Sequence, residues 1–236
     1  MTTEIIDIIN VIALSAFAGG TSFIGALMSK YINFAEPQML FLTAFGAGIL
    51  MSAAIFGILF EAEKIIGITM TLICFLSGAV IFTIADIIAV RKGGGSGILL
   101  GIGLDTIPEA LAFGASVAAG PGFVIAILIG IQNIPEGIAS YREMRTGKTA
   151  FSNSKKALTA IGIVSVIPII LGLVGLFFLQ EMMYVIGLIF AVSAGGIFYM
   201  LYYDMIPKAH REKNWLSTFG AVIGFMIGFA ILQTMR

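Results

Sequence analysis

The chain contains 236 residues, of which 59% are hydrophobic and only 11% are charged. A soluble domain carries about 45–50% apolar and about 25% charged residues, so this composition excludes a soluble globule and favours an integral membrane protein. The formal net charge is zero, which gives no indication of a nucleic-acid partner. The single cysteine, Cys74, excludes an intramolecular disulfide and a zinc site built from several cysteines.

Apolar segments long enough to cross a bilayer recur along the whole chain. A membrane helix needs roughly 20 apolar residues to cross a hydrocarbon core of about 30 Å. The sequence therefore predicts an all-α integral membrane protein with eight transmembrane helices in a single domain, residues 1–236. In the last span, Gly220, Gly224 and Gly228 lie four apart, a spacing that permits close helix packing. The predicted spans are Ile5–Ser29, Met39–Phe60, Ile66–Val90, Ser96–Ala119, Gly122–Tyr141, Ala157–Leu179, Met182–Ile206 and Leu216–Thr234.

Basic residues are distributed unevenly between the two sides of the predicted bundle. Assigning the loops alternately places eleven of the 13 Lys and Arg residues on one side and two, Lys64 and Arg236, on the other. Basic residues concentrate in cytoplasmic loops, so both termini are predicted to face outside. The plasma or inner membrane is the expected location. The eleven cytoplasmic residues are Lys30, Arg91, Lys92, Arg142, Arg145, Lys148, Lys155, Lys156, Lys208, Arg211 and Lys213.

Two adjacent predicted spans carry a repeated polar motif. The fourth contains Asp105-Thr106-Ile107-Pro108-Glu109, and the fifth contains Gln132-Asn133-Ile134-Pro135-Glu136, with Ile, Pro and Glu in register. Both motifs begin about 13–15 Å along their helices, near the midplane of the bilayer. The first and last residues of each motif are four apart and therefore share a helix face.

Together the motifs supply many oxygen acceptors and almost no hydrogen-bond donors. Pro108 and Pro135 have no N–H, so the carbonyls of Leu104 and Ile131 lose their helical partners. Such carbonyls are tolerated at membrane depth only when they are buried in protein or line a cavity. With three carboxylates beside them, they predict a negatively charged midplane site for a cation. The alternative is a network of protonated acids that only holds the two helices together.

These features resemble the ZIP family of divalent metal transporters. The segment Gln132-Asn133-Ile134-Pro135-Glu136-Gly137 is similar to a Gln-Asn-x-Pro-Glu-Gly form of that family's fifth-span motif. The segment Asp204-Met205-Ile206-Pro207 is similar to the acidic ending of its seventh span. The resemblance implies eight spans, both termini outside, a homodimer, and elevator-like transport in which spans one, four, five and six move against the others.

The resemblance also implies a set of metal ligands, with two departures in the fourth span. Asp105 stands where the family has histidine, and Thr106 stands where it has asparagine. Losing the imidazole leaves oxygen donors, which suit manganese, magnesium and similar hard ions better than zinc. The predicted substrate is zinc or a harder ion such as manganese, iron or magnesium, and no prosthetic group is expected. The predicted metal ligands are Asp105, Glu109, Gln132, Asn133 and Glu136.

Further residues are candidates for the path that the ion follows. Asp86 and Asp204 lie near the predicted cytoplasmic ends of spans three and seven, and Thr106 lies beside the midplane site. The alternative for each aspartate is an interfacial position or a pair with a neighbouring base.

Other classes of function are weighed against transport. An intramembrane metalloprotease is disfavoured because His-Glu-x-x-His is absent and the one histidine, His210, lies in a predicted loop. The expected protein is therefore not an enzyme. A degenerate relative that binds metal without transporting it, acting as a sensor or partner, stays open because of Asp105 and Thr106.

Overall fold

The computed structural model describes residues 2–92, 106–107, 110, 113–114, 122–146, 153–179, 182–210 and 215–234. Within this part of the chain the residues are helical apart from short connections, and no strand is present. Two π-helices, Ala53–Leu59 and Leu201–Met205, directly follow the α-helices that end at Ser52 and Met200. The α-helices are α1 (Thr2–Tyr31), α2 (Glu36–Ser52), α3 (Phe60–Lys92), α4 (Gly122–Thr146), α5 (Ser154–Val164), α6 (Ile167–Leu179), α7 (Met183–Met200), α8 (Ile206–Ala209) and α9 (Trp215–Thr234).

Long apolar helices confirm the all-α membrane class. Among the described residues, six helical segments are long and apolar enough to cross a membrane. The predicted fourth span, Ser96–Ala119, lies mostly outside the described residues, so the count of eight spans stays a prediction. The six segments are Ile5–Tyr31, Glu36–Ile88, Phe123–Arg145, Ser154–Phe178, Met183–Ala209 and Trp215–Thr234.

The longest of these segments accommodates two of the predicted spans. Glu36–Ile88 contains 53 residues, which at 1.5 Å per residue would extend about 80 Å, more than twice the thickness of the hydrocarbon core. Its backbone breaks at Gly67, where φ is 73° and ψ is 160°. Glycine adopts this region readily because it has no Cβ, whereas other residues are strained there.

The break at Gly67 corrects one predicted boundary. The sequence predicts a loop over residues 61–65, whereas the structure keeps these residues helical. Glu61 and Lys64 form an ion pair of 2.7 Å one helical turn apart, which supports the helical conformation. The helix therefore continues to the first glycine after Phe60.

The predicted sixth span is also interrupted. The structure divides Ala157–Leu179 between α5 and α6, with a turn at residues 165–166. Pro168 follows directly and has no N–H to donate to the carbonyl of Val164, so a continuous α-helix would lose a hydrogen bond there.

Three pairs of long helices pack along each other: α1 with α4, α2 with α9, and α3 with α7. The glycine stripe of the last span lies in the second pair, which confirms the close approach predicted from its spacing. Gly220, Gly224 and Gly228 face Phe41, Phe45 and Ser52 of α2.

The described helices form two groups that meet along α2 and α4. Helix α1 contacts α4, α5 and α6, whereas α2, α3, α7, α8 and α9 are connected through their own contacts. Between the two groups, the most extensive contact is that of α2 with α4. Gly46 of α2 faces the ring of Pro135 there. The polar motif of α4 therefore lies at the boundary between the groups.

Candidate metal site

Helix α4 holds the fifth-span motif in the interior of the protein. Gln132 is 3% exposed and Asn133 is 8% exposed, while Glu136 is half-buried. Pro135 lies inside the helix, so it offers no N–H to the carbonyl of Ile131. The amide of Gln132, the carboxyl of Glu136 and the carbonyl oxygen of Ile131 thus lie on consecutive turns of α4.

The Asn133 amide links α4 to α1. Its Nδ2 donates to the Ala18 carbonyl at 2.9 Å, and the Thr21 hydroxyl donates to the same carbonyl at 2.7 Å. While the Asn133 bond holds, only the Oδ1 atom of that side chain is available to a metal. The structure therefore gives Asn133 a positioning contact that its sequence context did not predict.

The backbone of the motif is held closely against α1. Gly25 lies against the Ile134 carbonyl, and Gly137 lies against the Ser22 carbonyl. A Cβ atom at either glycine would meet that carbonyl oxygen, so small residues are required for the two helices to approach this closely. This packing fixes the height of Glu136 relative to α1.

Two charged side chains of the other helix group, Asp204 and Lys208, lie near Glu136. Asp204 lies on the π-helix Leu201–Met205, a type of distortion that is frequent at functional sites. The Lys208 ammonium bonds Asp204 Oδ1 at 2.8 Å and lies 3.5 Å from Glu143 Oε2.

Asp86 takes a different position. The Tyr199 hydroxyl donates to Asp86 Oδ2 at 3.2 Å, between α3 and α7, and Tyr199 stacks on Tyr203. Asp86 is therefore engaged within the helix pair formed by α3 and α7, whereas Asp204 belongs to the charges around Glu136.

The fourth-span half of the predicted site is only partly described. Thr106 is partly buried, while Asp105 and Glu109 lie outside the described residues. Within the part of the chain that the structure describes, no three His, Cys, Asp or Glu side chains converge to hold a metal ion. The described half of the site consists of Gln132 and Glu136, with Asp204 and Lys208 nearby.

Two residues near the site were missed from the sequence. From the sequence, Lys208 is assigned only to the cytoplasmic basic residues, and Glu143 is not singled out. A usable signal existed for each, since Lys208 follows Asp204 by four residues and Glu143 follows Glu136 by seven. Both spacings place the pair on one helix face.

Gln132 lines a small cavity between the two helix groups. The other residues that line it are apolar and include Leu50, Leu128, Ile197 and Leu232, from α2, α4, α7 and α9. Gln132 is therefore the polar group on this lining.

Comparison with known proteins agrees with the motif. Residues 91–236, which are 146 of the 236 residues, match the model of the family described as ZIP zinc transporter. The matched region contains both polar motifs and the Asp204 segment. No curated protein matches the sequence. The chain, with its long apolar helices, is therefore a multi-pass membrane protein that belongs to the ZIP zinc transporter family.

Proposed function

We propose that this protein carries a divalent metal ion across the membrane into the cytoplasm, through a midplane site on α4 and the predicted fourth span. The observation that carries this proposal is the face of α4, where Gln132 and Glu136 lie one turn apart in the interior at the boundary between two helix groups. Ionisable groups at membrane depth are costly and therefore mark ion paths. Membership of a metal-transporter family gives the substrate class.

The proposed ligands are oxygen donors from both motifs. Glu136 and Gln132 supply a carboxylate and an amide oxygen from α4, and Asp105 and Glu109 supply carboxylates from the fourth span. Asn133 contributes through its Oδ1 while its nitrogen is bonded to Ala18. Such a set favours manganese, magnesium or iron, with zinc also accommodated. The metal is the substrate, and no prosthetic group is proposed.

The division of the helices supports an elevator-like movement. In this mechanism α1, α4, α5 and α6 move together with the fourth span against the remaining helices. The tight packing of Gly25 and Gly137 against backbone carbonyls binds α1 to α4, so these two helices move as one. The contact of α2 with α4, which joins the two groups, is less extensive than the contact of α1 with α4.

The surroundings of the transporter follow from the charge distribution and the family. We propose a single transmembrane domain over residues 1–236 in the plasma or inner membrane, with both termini outside. The eleven basic residues on one side support this orientation. A homodimer is the proposed assembly, with metal ions and the bilayer as the other partners. Asp204 and Thr106 are proposed to line the path, and Asp86 to support it through Tyr199.

Uptake by proteoliposomes tests this function. Zinc, manganese, iron(II), cobalt and magnesium compete with one another under matched conditions. We expect saturable uptake, in which manganese or magnesium inhibits the uptake of the other ions most strongly. Binding without uptake of any ion would instead support the second candidate, a family member that binds metal but does not transport it, which is suggested by Asp105 and Thr106 standing where the family has histidine and asparagine.

Asp105→His is expected to shift the preference of uptake toward zinc. The substitution restores an imidazole, which zinc binds better than the hard ions do. The measurement is the ratio of zinc to manganese uptake, with a rise of roughly tenfold expected for one nitrogen ligand worth about 1.4 kcal/mol. Glu63→His serves as the control because it adds an imidazole at an exposed position near the start of α3, away from the proposed site. An unchanged ratio in Asp105→His would remove this explanation of selectivity.

A further inference from the structure

A single ammonium group joins carboxylates from the two helix groups. The Lys208 Nζ atom lies 2.8 Å from Asp204 Oδ1 and 3.5 Å from Glu143 Oε2. Asp204 lies on the π-helix that continues α7, and Lys208 lies on α8. Glu143 belongs to α4. Any displacement of α4 past α7 and α8 must therefore break the contact between Lys208 and Glu143.

The same ammonium group lies on the cytoplasmic side of the proposed metal site. Glu143 follows Glu136 by seven residues, which is two helical turns on one face and about 10 Å along the axis. Lys208 and Asp204 also lie near Glu136. In the proposed orientation, Lys208 therefore lies on the cytoplasmic side of Glu136.

We propose that Lys208 is a tethered counter-ion at the cytoplasmic exit, which competes with the transported metal for the carboxylates of Glu136, Asp204 and Glu143. This inference rests on the proposed function. In the empty carrier the ammonium neutralises these acids. An arriving divalent ion displaces the Lys208 ammonium from these carboxylates. When the ion moves inward, the ammonium returns and lowers the affinity of the exit for metal. Lys208 thereby sets how tightly the site binds and how readily it releases.

Each ion pair of Lys208 is partly exposed, since the side chains of Lys208, Asp204 and Glu143 are 39%, 45% and 54% exposed, so each pair contributes little to the stability of the fold. Lys208 differs from an ordinary surface pair because it contacts two acids on elements that belong to different helix groups. Because like charges repel, a nearby ammonium lowers the affinity of a site for a divalent ion by roughly tenfold.

Manganese binding to the full-length protein in nanodiscs tests the proposal. Lys208→Gln is expected to bind Mn²⁺ about tenfold more tightly than the wild type and to release it more slowly. Lys208→Arg keeps the charge and is expected to resemble the wild type. Lys156→Gln is the matched control, since it removes an exposed cytoplasmic lysine of α5. Equal or weaker binding in Lys208→Gln would overturn the role of Lys208.

A second variant separates this inference from the proposed function. Glu136→Gln is expected to abolish Mn²⁺ binding, both alone and combined with Lys208→Gln. If Glu136→Gln bound manganese normally, the proposed site itself would be wrong. If Glu136→Gln lost binding while Lys208→Gln left the affinity unchanged, only the counter-ion proposal would fail.

A readout on the wild-type protein avoids any dependence on how the Lys208 variants fold. The Lys208 side chain is 39% exposed, so an amine-reactive reagent has access to it. Mn²⁺ should release the ammonium from Asp204 and increase its rate of labelling several-fold, as followed by mass spectrometry. Glu136→Gln should show no such increase. A labelling rate that does not change with Mn²⁺ in the wild type would contradict displacement.

Discussion

Replacing Glu136 with alanine is expected to abolish metal uptake while leaving the protein folded. The substitution removes the carboxylate that α4 contributes to the proposed site, where a divalent ion at membrane depth needs charges of opposite sign. It also relieves the repulsion between Glu136 and the other carboxylates of the proposed site, so the fold is expected to lose little stability. Uptake by proteoliposomes and thermal unfolding in detergent measure the two effects separately, with uptake expected to fall to the level of empty vesicles.

A control carboxylate distinguishes the site from a general effect of charge. Glu63 lies exposed near the start of α3, and Glu63→Ala is expected to keep wild-type uptake. If Glu136→Ala transported as well as Glu63→Ala did, Glu136 would not be a ligand. Loss of both folding and uptake would assign Glu136 a structural role instead.

Gly25→Ala is expected to destabilise the protein and to impair uptake. A Cβ atom at Gly25 would collide with the carbonyl oxygen of Ile134, within the motif that carries Glu136. Relief requires α1 and α4 to move apart, and overpacking of this kind costs about 1–3 kcal/mol. The same movement displaces the motif, so uptake should fall by more than the loss of folded protein explains. Thermal unfolding and uptake are again the measurements.

The same helix offers a matched substitution. Among the described residues, no heavy atom outside the neighbouring backbone of α1 lies within 4 Å of a Cβ placed at Gly20. Alanine also favours a helix over glycine by up to about 1 kcal/mol. Gly20→Ala should therefore be neutral or stabilising and should transport normally. Equal stability of Gly20→Ala and Gly25→Ala would contradict the close packing of α1 against α4.

Local pattern was sufficient for most of the helices and for the shared face of Gln132 and Glu136 on α4. Long apolar runs require helices in a bilayer, and the spacing of Gln132 and Glu136 places both on one face. The stripe of Gly220, Gly224 and Gly228 likewise indicated close packing, because residues four apart share a face. The partner of that stripe, α2, was not predictable because periodicity carries no information on which helix is opposite.

The remaining features depend on contacts between distant parts of the chain. Lys208 and Glu143 meet because α8 and α4 both pack against α2, and the composition of a basic loop does not encode this. The sequence pattern alone does not decide between a loop at residues 61–65 and a helix that continues to Gly67. The structure has the helix, which the ion pair of Glu61 with Lys64 supports. The roles of Asp105 and Glu109 stay predictions from the motif, since both residues lie outside the described part of the chain.

Anomalous scattering from crystals grown with manganese would show whether, as we propose, α4 and the predicted fourth span hold the transported ion between them. The expected result is an anomalous peak within coordination distance of Glu136 and Gln132, with Asp105 or Glu109 completing an all-oxygen shell. A peak that lies away from Glu136, or that contacts His210 or Cys74 instead, would contradict the claim.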